Sequence, residues 1–434
     1  MKAQSGPNRK VKLGFYRMMA GYSRVFATIQ GSPYQNIYLS AFNDFTFTNY
    51  KSSKIDYFPY LTLNEDRLEG EVDNKAGAEI FWKIDSSRQL NAAFNPDFGQ
   101  VESDAVVVNF SASETFYSDK RPFFSENHNL FNVQGYRFFY VINTRRIGAS
   151  PDYNCSEDFS LQQDLCEDAQ KGSNDIDAAF RYTQQGENFD VGFLGAFEAN
   201  EKFSEGKDFY AARLRTKRDN LSLGYLGTYV NRPIIDRTAK VNAVDFEYRP
   251  SSIRRLSGAV LASDVNGETG YGLTIGYGHD PSKNRHNGVG VYYFDENLDI
   301  NDMGYLVRND WLMIGGRASI KQTNFSQDSI TRARKYEIGY SLKSTSDFEK
   351  EPSGLSFSAE NSFTNTSEIK AEIFYRTTGK DNLITRKSTL SPYINMPKGY
   401  GVELEYRGPS DDFLQYGFEV DRRQGSRYSA ALGW

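Results

Sequence analysis

Between Asp97 and Glu126 the chain concentrates side chains able to do acid–base or ion-pair chemistry: Asp97, Gln100, Glu102, Asp104, Glu114, Asp119, Lys120, Arg121 and Glu126. Two carboxylates flanking a sugar, such as Glu114 and Glu126, are what glycoside hydrolysis needs, but only at a separation of ~5–9 Å. Nothing in their spacing along the chain fixes that separation. The alternative is electrostatic, with Lys120 and Arg121 paired to the neighbouring carboxylates. A second cluster, Asp295-Glu296-Asn297-Leu298-Asp299-Ile300-Asn301, has the spacing of a calcium loop. Ile300 stands where the helix–loop–helix motif needs Gly, and Leu306 where it needs Glu. That stretch reads as a solvated external loop. No Gly-x-Ser-x-Gly elbow or His-Glu-x-x-His motif occurs, and the three His (His128, His279, His286) are too few and scattered for a metal cluster. The residues therefore nominate no catalytic group, no metal and no cofactor.

The elements that must carry these groups are short and alternating. Tyr336, Ile338, Tyr340 and Leu342 face one way; Glu337, Gly339, Ser341 and Lys343 face the other. Tyr400, Val402, Leu404 and Tyr406 oppose Gly401, Glu403, Glu405 and Arg407, and Leu414, Tyr416, Phe418 and Val420 oppose Gln415, Gly417, Glu419 and Asp421. Ile369, Ala371, Ile373 and Tyr375 repeat the pattern, with Phe374 breaking the polar face. No run approaches the ~20 apolar residues of a membrane helix. With 29 Tyr, 32 Phe and 36 Gly in 434 residues and 25% charged residues, the composition suits aromatic girdles, one apolar strand face and a polar interior. The expected fold is all-β, an antiparallel transmembrane β-barrel of roughly 20 strands, within a range of about 16–22 and with an even number favoured. Gly270, Gly272, Gly288 and Gly290 then read as small residues on the lumen side.

The tail supports the same assignment. Tyr428, Ala430, Leu432 and Trp434 share one strand face, and ending on an aromatic resembles the terminal signal by which barrel assembly machinery receives outer-membrane barrels. Tight turns near Gln185-Gly186-Glu187 and Arg218-Asp219-Asn220 alternate with longer ones near residues 200–206 and 231–237. The stretch 148–175 reads as the longest external loop and holds both cysteines, Cys155 and Cys166. In an oxidising compartment they suit a local disulfide worth roughly 3 kcal/mol in the chain-entropy model; two unpaired thiols are the alternative. No apolar run behind Met1 resembles a secretory leader, although an exported barrel needs one. Charges facing lipid cost ~2–4 kcal/mol each for basic residues near the midplane. Residues 95–131 are therefore expected to fold inward as a plug or constriction, with 1–54 a lead segment and 55–434 the barrel.

Four ordered motifs carry a family resemblance. They are Asn95-Pro96-Asp97-Phe98-Gly99-Gln100-Val101-Glu102-Ser103-Asp104, Val108-Asn109-Phe110-Ser111-Ala112-Ser113-Glu114-Thr115-Phe116-Tyr117, Asp119-Lys120-Arg121-Pro122-Phe123-Phe124 and Arg145-Arg146-Ile147-Gly148. Tyr57-Phe58-Pro59-Tyr60 precedes them. The succession resembles an uncharacterised family of Gram-negative outer-membrane proteins in which a domain similar to family 9 carbohydrate-binding modules precedes a β-barrel. Ala105 stands where the family usually has Pro, Ser113 where Phe is common before Glu114, and Ser118 where Pro or Glu is frequent. Residues 1–54 cannot hold such a module, so the chain is expected to be the barrel half. The resemblance implies an outer-membrane location, contact with lipid, and glycans or an exported protein as cargo. Two functions follow: a channel, translocator or surface assembly component, or an outer-membrane-anchored carbohydrate-active hydrolase. The acidic net charge of −5 argues against nucleic acid.

Overall fold

A computed structural model describes residues 8–19, 24–27, 42–48, 53–66, 71–96, 116–133, 138–153, 174–200, 204–377, 385–386, 394–395, 399–408, 413–421 and 425–433. The molecule is all-β, with almost no helix, and its main body is one antiparallel sheet. Its strands, in chain order, begin with β1 (Lys54–Asp66), β2 (Glu71–Lys83) and β3 (Arg88–Phe94). After the long connection 95–175 come β4 (Ile176–Gln185), β5 (Phe189–Glu198), β6 (Asp208–Arg218), β7 (Leu221–Arg232) and β8 (Arg237–Ser251). Then follow β9 (Arg254–Val265), β10 (Glu268–Ser282), β11 (Arg285–Phe294), β12 (Trp311–Gln322) and β13 (Thr331–Ser344). The last are β14 (Gly354–Phe363), β15 (Glu368–Arg376), β16 (Gly399–Arg407), β17 (Phe413–Asp421) and β18 (Gly425–Gly433). Each pairs with its chain neighbours, β3 and β4 included. Three small hairpin-like pairs join Asn8–Leu13 to Asn43–Thr48, Tyr16–Met19 to Arg24–Ala27 and Thr385–Arg386 to Ile394–Asn395.

Antiparallel order sends alternate connections to opposite ends. At one end lie the turns 84–87, 186–188, 219–220, 252–253 and 283–284 with the longer 323–330 and 364–367; at the other lie the turns 233–236 and 266–267 and the long connections that follow β3, β5, β11, β13 and β15. The tight turns use residues tolerant of left-handed backbone, as at Asp219, where φ is +44°. Both the start of β1 and the end of β18 fall at the short-turn end.

One sheet face exposes large apolar side chains, while the other buries charged and polar groups among small and apolar ones. In β8, Val244 and Tyr248 are exposed while Ala239, Val241, Ala243 and Asp245 are buried. In β4, Phe180 is exposed while Arg181 and Thr183 are buried. The buried face is not a two-sheet core. It is covered by residues 116–133 and 138–153 of the long connection and by residues 295–310, which join through a small pairing of Phe139–Tyr140 with Tyr305–Leu306. Phe123, Phe124, Leu130, Phe139, Val141, Ile142, Leu298, Ile300 and Met303 are the apolar side chains buried there. One expectation needs correction. Residues 295–301 are not a solvated loop: Leu298 and Ile300 are buried, and the apolar side chains dock what the acidic ones made look external. The eighteen strands of the main sheet are an even number inside the expected range of about 16–22, and some, such as β8 and β10, run to fifteen residues.

Candidate functional site

Residues 116–133 and 138–153 form a clamp built on Arg121. Asp119 first turns the chain, its Oδ1 accepting from the Arg121 backbone N–H at 2.9 Å. The Arg121 guanidinium then donates to both Asp119 oxygens, Nε at 3.0 and 3.1 Å and Nη2 at 2.6 Å. It also donates to the Thr144 carbonyl at 2.7 Å and the Ile147 carbonyl at 2.9 Å. Thr144 Oγ1 closes the ring by donating to Asp119 Oδ2 at 2.7 Å. Burial pushes the Asp119 carboxyl up, but the hydrogen bonds from Arg121 and Thr144 more than offset it and hold the group below the usual carboxylate range. Arg121 lies over the Phe124 ring, 4.3 Å from its centroid. The stretch around Asp119–Phe124 and the stretch around Thr144–Gly148 are thus one unit, joined by a planar five-donor fork that Lys could not reproduce.

Pro122 starts a single helical turn, Pro122–Ser125, that needs no N–H at its first position. Asn127, with φ at +55°, redirects the chain into the 3-10 helix His128–Phe131. Leu130 and Phe131 press onto β5 over Gly192, where a Cβ would come within 2.9 Å of both side chains. Glycine at that position is what lets the clamp sit against the sheet. Arg213 on β6 is fully buried, forms a bidentate pair with Asp245 of β8, and donates to the carbonyls of Leu130 at 3.2 Å and Asn132 at 3.3 Å. Gln89 of β3 donates to Glu126 at 2.6 Å and accepts from Asn127 at 3.1 Å. His128 sits among these groups; its burial, and then the charge of Arg181, push its imidazole below the ordinary histidine value.

Further along, Gly148 adopts φ +73° and its N–H donates to Glu198 at 2.8 Å. Lys207 donates to the Ser150 carbonyl at 2.9 Å. The 295–310 layer is fixed by ions: Arg232 binds Asp152 and Asp302, and Arg237 binds Asp299 and Asp302. Burial raises the Asp302 carboxyl, but the hydrogen bonds from Arg237 and Arg232 bring it below its usual range. Every one of these contacts immobilises; none leaves two carboxylates poised across an open space. Glu126, half of the imagined glycosidase pair, is bound by Gln89 and lies 3.6 Å from Lys83.

Of the residues singled out from the sequence, Lys120 is exposed at the clamp surface and Arg121 is its centre. Arg145 donates to the Ser118 carbonyl at 3.2 Å and Arg146 to the Gly304 carbonyl at 3.2 Å, so both tie the clamp together. Asp97, Gln100, Glu102, Asp104 and Glu114 lie outside the described residues, as do Cys155, Cys166 and Trp434. Tyr428 and Leu432 stand in β18, opposite Phe418 and Leu414 of β17. Sequence reasoning missed Arg181, Asp190, Arg213 and Asp245. Nothing along the chain distinguishes a buried ion pair from a wetted one.

The described residues hold no cluster of metal-binding side chains. No curated protein matches the chain. Residues 52–207, which take in β1 to β5 and the Arg121 clamp, match the family described as a domain of unknown function (DUF5916).

Proposed function

We propose that this protein is an outer-membrane β-barrel that works as a channel, translocator or surface assembly component. In this reading the sheet closes through β18 against β1 into eighteen strands, stands in the outer membrane, and carries the Arg121 clamp as a plug in its lumen. The observation that carries the reading is an exposed apolar sheet face backed by a face that buries charge. Val244 is 55% exposed and Leu342 57%, while Arg213 is 0% exposed. In water, each Å² of that apolar face would forgo ~25 cal/mol, and a contiguous patch so large marks a lipid or protein contact. Exposed aromatic rings stand toward both ends, Tyr210, Tyr229 and Tyr271 at one and Phe189, Tyr248 and Tyr277 at the other, as interfacial girdles do. Closure is supported by a strand order in which β18 adjoins β1, and by the cost of an open sheet edge in hydrocarbon.

Short turns face the periplasm and long connections the exterior in such barrels, which sets the clamp to enter from outside. A domain similar to family 9 carbohydrate-binding modules, implied by the resemblance, would join ahead of β1 at the periplasmic end. Carbohydrate handling follows from that domain and not from the barrel. The folded protein should sit in an outer-membrane fraction, migrate faster on gels unheated than boiled, and conduct ions in planar bilayers. Mobility unchanged by heating, or recovery only from the soluble fraction, would refute the reading.

A further inference from the structure

The inner face is covered unevenly. Along β4 to β10 the inward side chains Arg181, Thr183, Arg213, Thr228, Asp245, Ser257 and Thr274 are buried beneath residues 116–133, 138–153 and 295–310. Along β12 to β16 many inward residues are only half-buried, among them Ser319, Glu337, Ser341, Ser356, Ser358, Glu360 and Glu403, while Ser362 and Phe374 are buried. Lys335 and Glu337 keep 35% and 25% of their side chains exposed although they face away from the apolar belt. The registers align these residues in levels. One level runs Lys321, Lys335, Glu360, Lys370 and Glu405 across five strands. The next runs Ser319, Glu337, Ser358, Glu372 and Glu403. Ion pairs link the levels, Lys335 to Glu337 at 2.9 Å and Lys370 to Glu372 at 3.0 Å.

Resting on the channel reading, we infer that solute crosses beside the clamp, along the inward faces of β12 to β16, in a lane of paired Lys and Glu that admits small hydrated ions of either sign. The buried half cannot serve, because its charges are consumed by one another and by clamp carbonyls. The lane's third level runs Arg317, Gly339, Ser356, Phe374 and Gly401; it adds one exposed cation, and Phe374 lies over Gly401, where a Cβ would overlap its ring. Lys335 and Lys370 offset Glu337 and Glu372, so neither sign of ion is strongly excluded. Lys335→Gln with Lys370→Gln leaves Glu337, Glu372 and Glu403 at one level and should make the pore cation-selective.

The test uses the full chain with Cys155→Ser and Cys166→Ser, reconstituted in planar bilayers. Single Ser356→Cys and Ser358→Cys forms are compared with Thr228→Cys and Thr274→Cys, using a cationic, membrane-impermeant methanethiosulfonate. The lane predicts that conductance falls at least severalfold in the first two and stays unchanged in the last two. In a tenfold KCl gradient the double Lys→Gln form should move the reversal potential toward the potassium equilibrium value. A conducting parent whose Ser356→Cys and Ser358→Cys forms ignore the reagent overturns the lane alone. A parent that does not conduct overturns the channel reading, and the lane with it.

Discussion

Replacing Arg213 with Met removes the bidentate partner of Asp245, a carboxylate with 1% of its surface exposed. Breaking a buried pair from one side costs ~3–5 kcal/mol, because the surviving ion stays desolvated. At ~1.4 kcal/mol per decade, that is a shift of roughly two to three and a half orders of magnitude in the folding equilibrium. The loss also frees the Leu130 and Asn132 carbonyls, so the clamp should loosen before the sheet does. Guanidinium unfolding in lipid vesicles, followed by tryptophan fluorescence, measures the global term. Limited proteolysis mapped within residues 126–133 measures the local one. The double variant Arg213→Met with Asp245→Leu removes both charges and should recover most of the loss. A single variant within ~1 kcal/mol of the parent, or a double variant no better than the single, would refute this account of the inner face.

Arg121→Lys keeps a charge but cannot hold Asp119, Thr144 and Ile147 together; proteolysis of residues 116–153 should accelerate about tenfold or more, against no change if the fork is dispensable. Gly192→Leu must displace Leu130 and Phe131; overpacking there should cost ~1–3 kcal/mol, read as a lower temperature of heat-modified gel mobility. Acidification should release the clamp in two stages. His128 and Asp119 both have lowered values in the fold, so the unfolded chain binds more protons as pH falls. The His128 contribution is complete above about pH 6.5 and lost as pH falls through its lowered value; that of Asp119 is complete above about pH 4 and lost in stronger acid. Protease resistance of residues 116–153 that rises between pH 7 and pH 5 would contradict this. Val244→Arg should destabilise the protein by ~2–4 kcal/mol in bilayers, whereas an arginine on a water-facing surface changes stability by no more than ~0.5 kcal/mol.

The alternation at Tyr336–Leu342 and Tyr400–Tyr406 was legible because a two-residue period needs only neighbours to be seen. The turn at Asp219 was legible for the same reason. What lay across the sheet was not. Arg213 and Asp245 are on strands separated by β7, and only the fold sets them face to face with a glycine, Gly224, between. Residues 295–301 misled because their acids suggested solvent, while Arg237, more than fifty residues earlier, pairs with Asp299 and joins Arg232 on the adjacent Asp302. The motif around Arg121 stood out as a charge cluster, but its role as the fork joining Asp119 to Thr144 and Ile147 needs the chain to return after twenty residues and more. Phe374, which broke the polar pattern of β15, is explained only by the space above Gly401 on the adjacent strand.

The central claim is that the exposed apolar face meets lipid. Nitroxide labels at Val244, Val260 and Ile338, one per protein in reconstituted bilayers, test it directly through their collisions with oxygen and with a water-soluble nickel chelate. Lipid contact predicts high oxygen and low nickel accessibility at all three, with the reverse at Ser358 on the inward face. High nickel accessibility at Val244, Val260 and Ile338 would place that face in water and contradict the account.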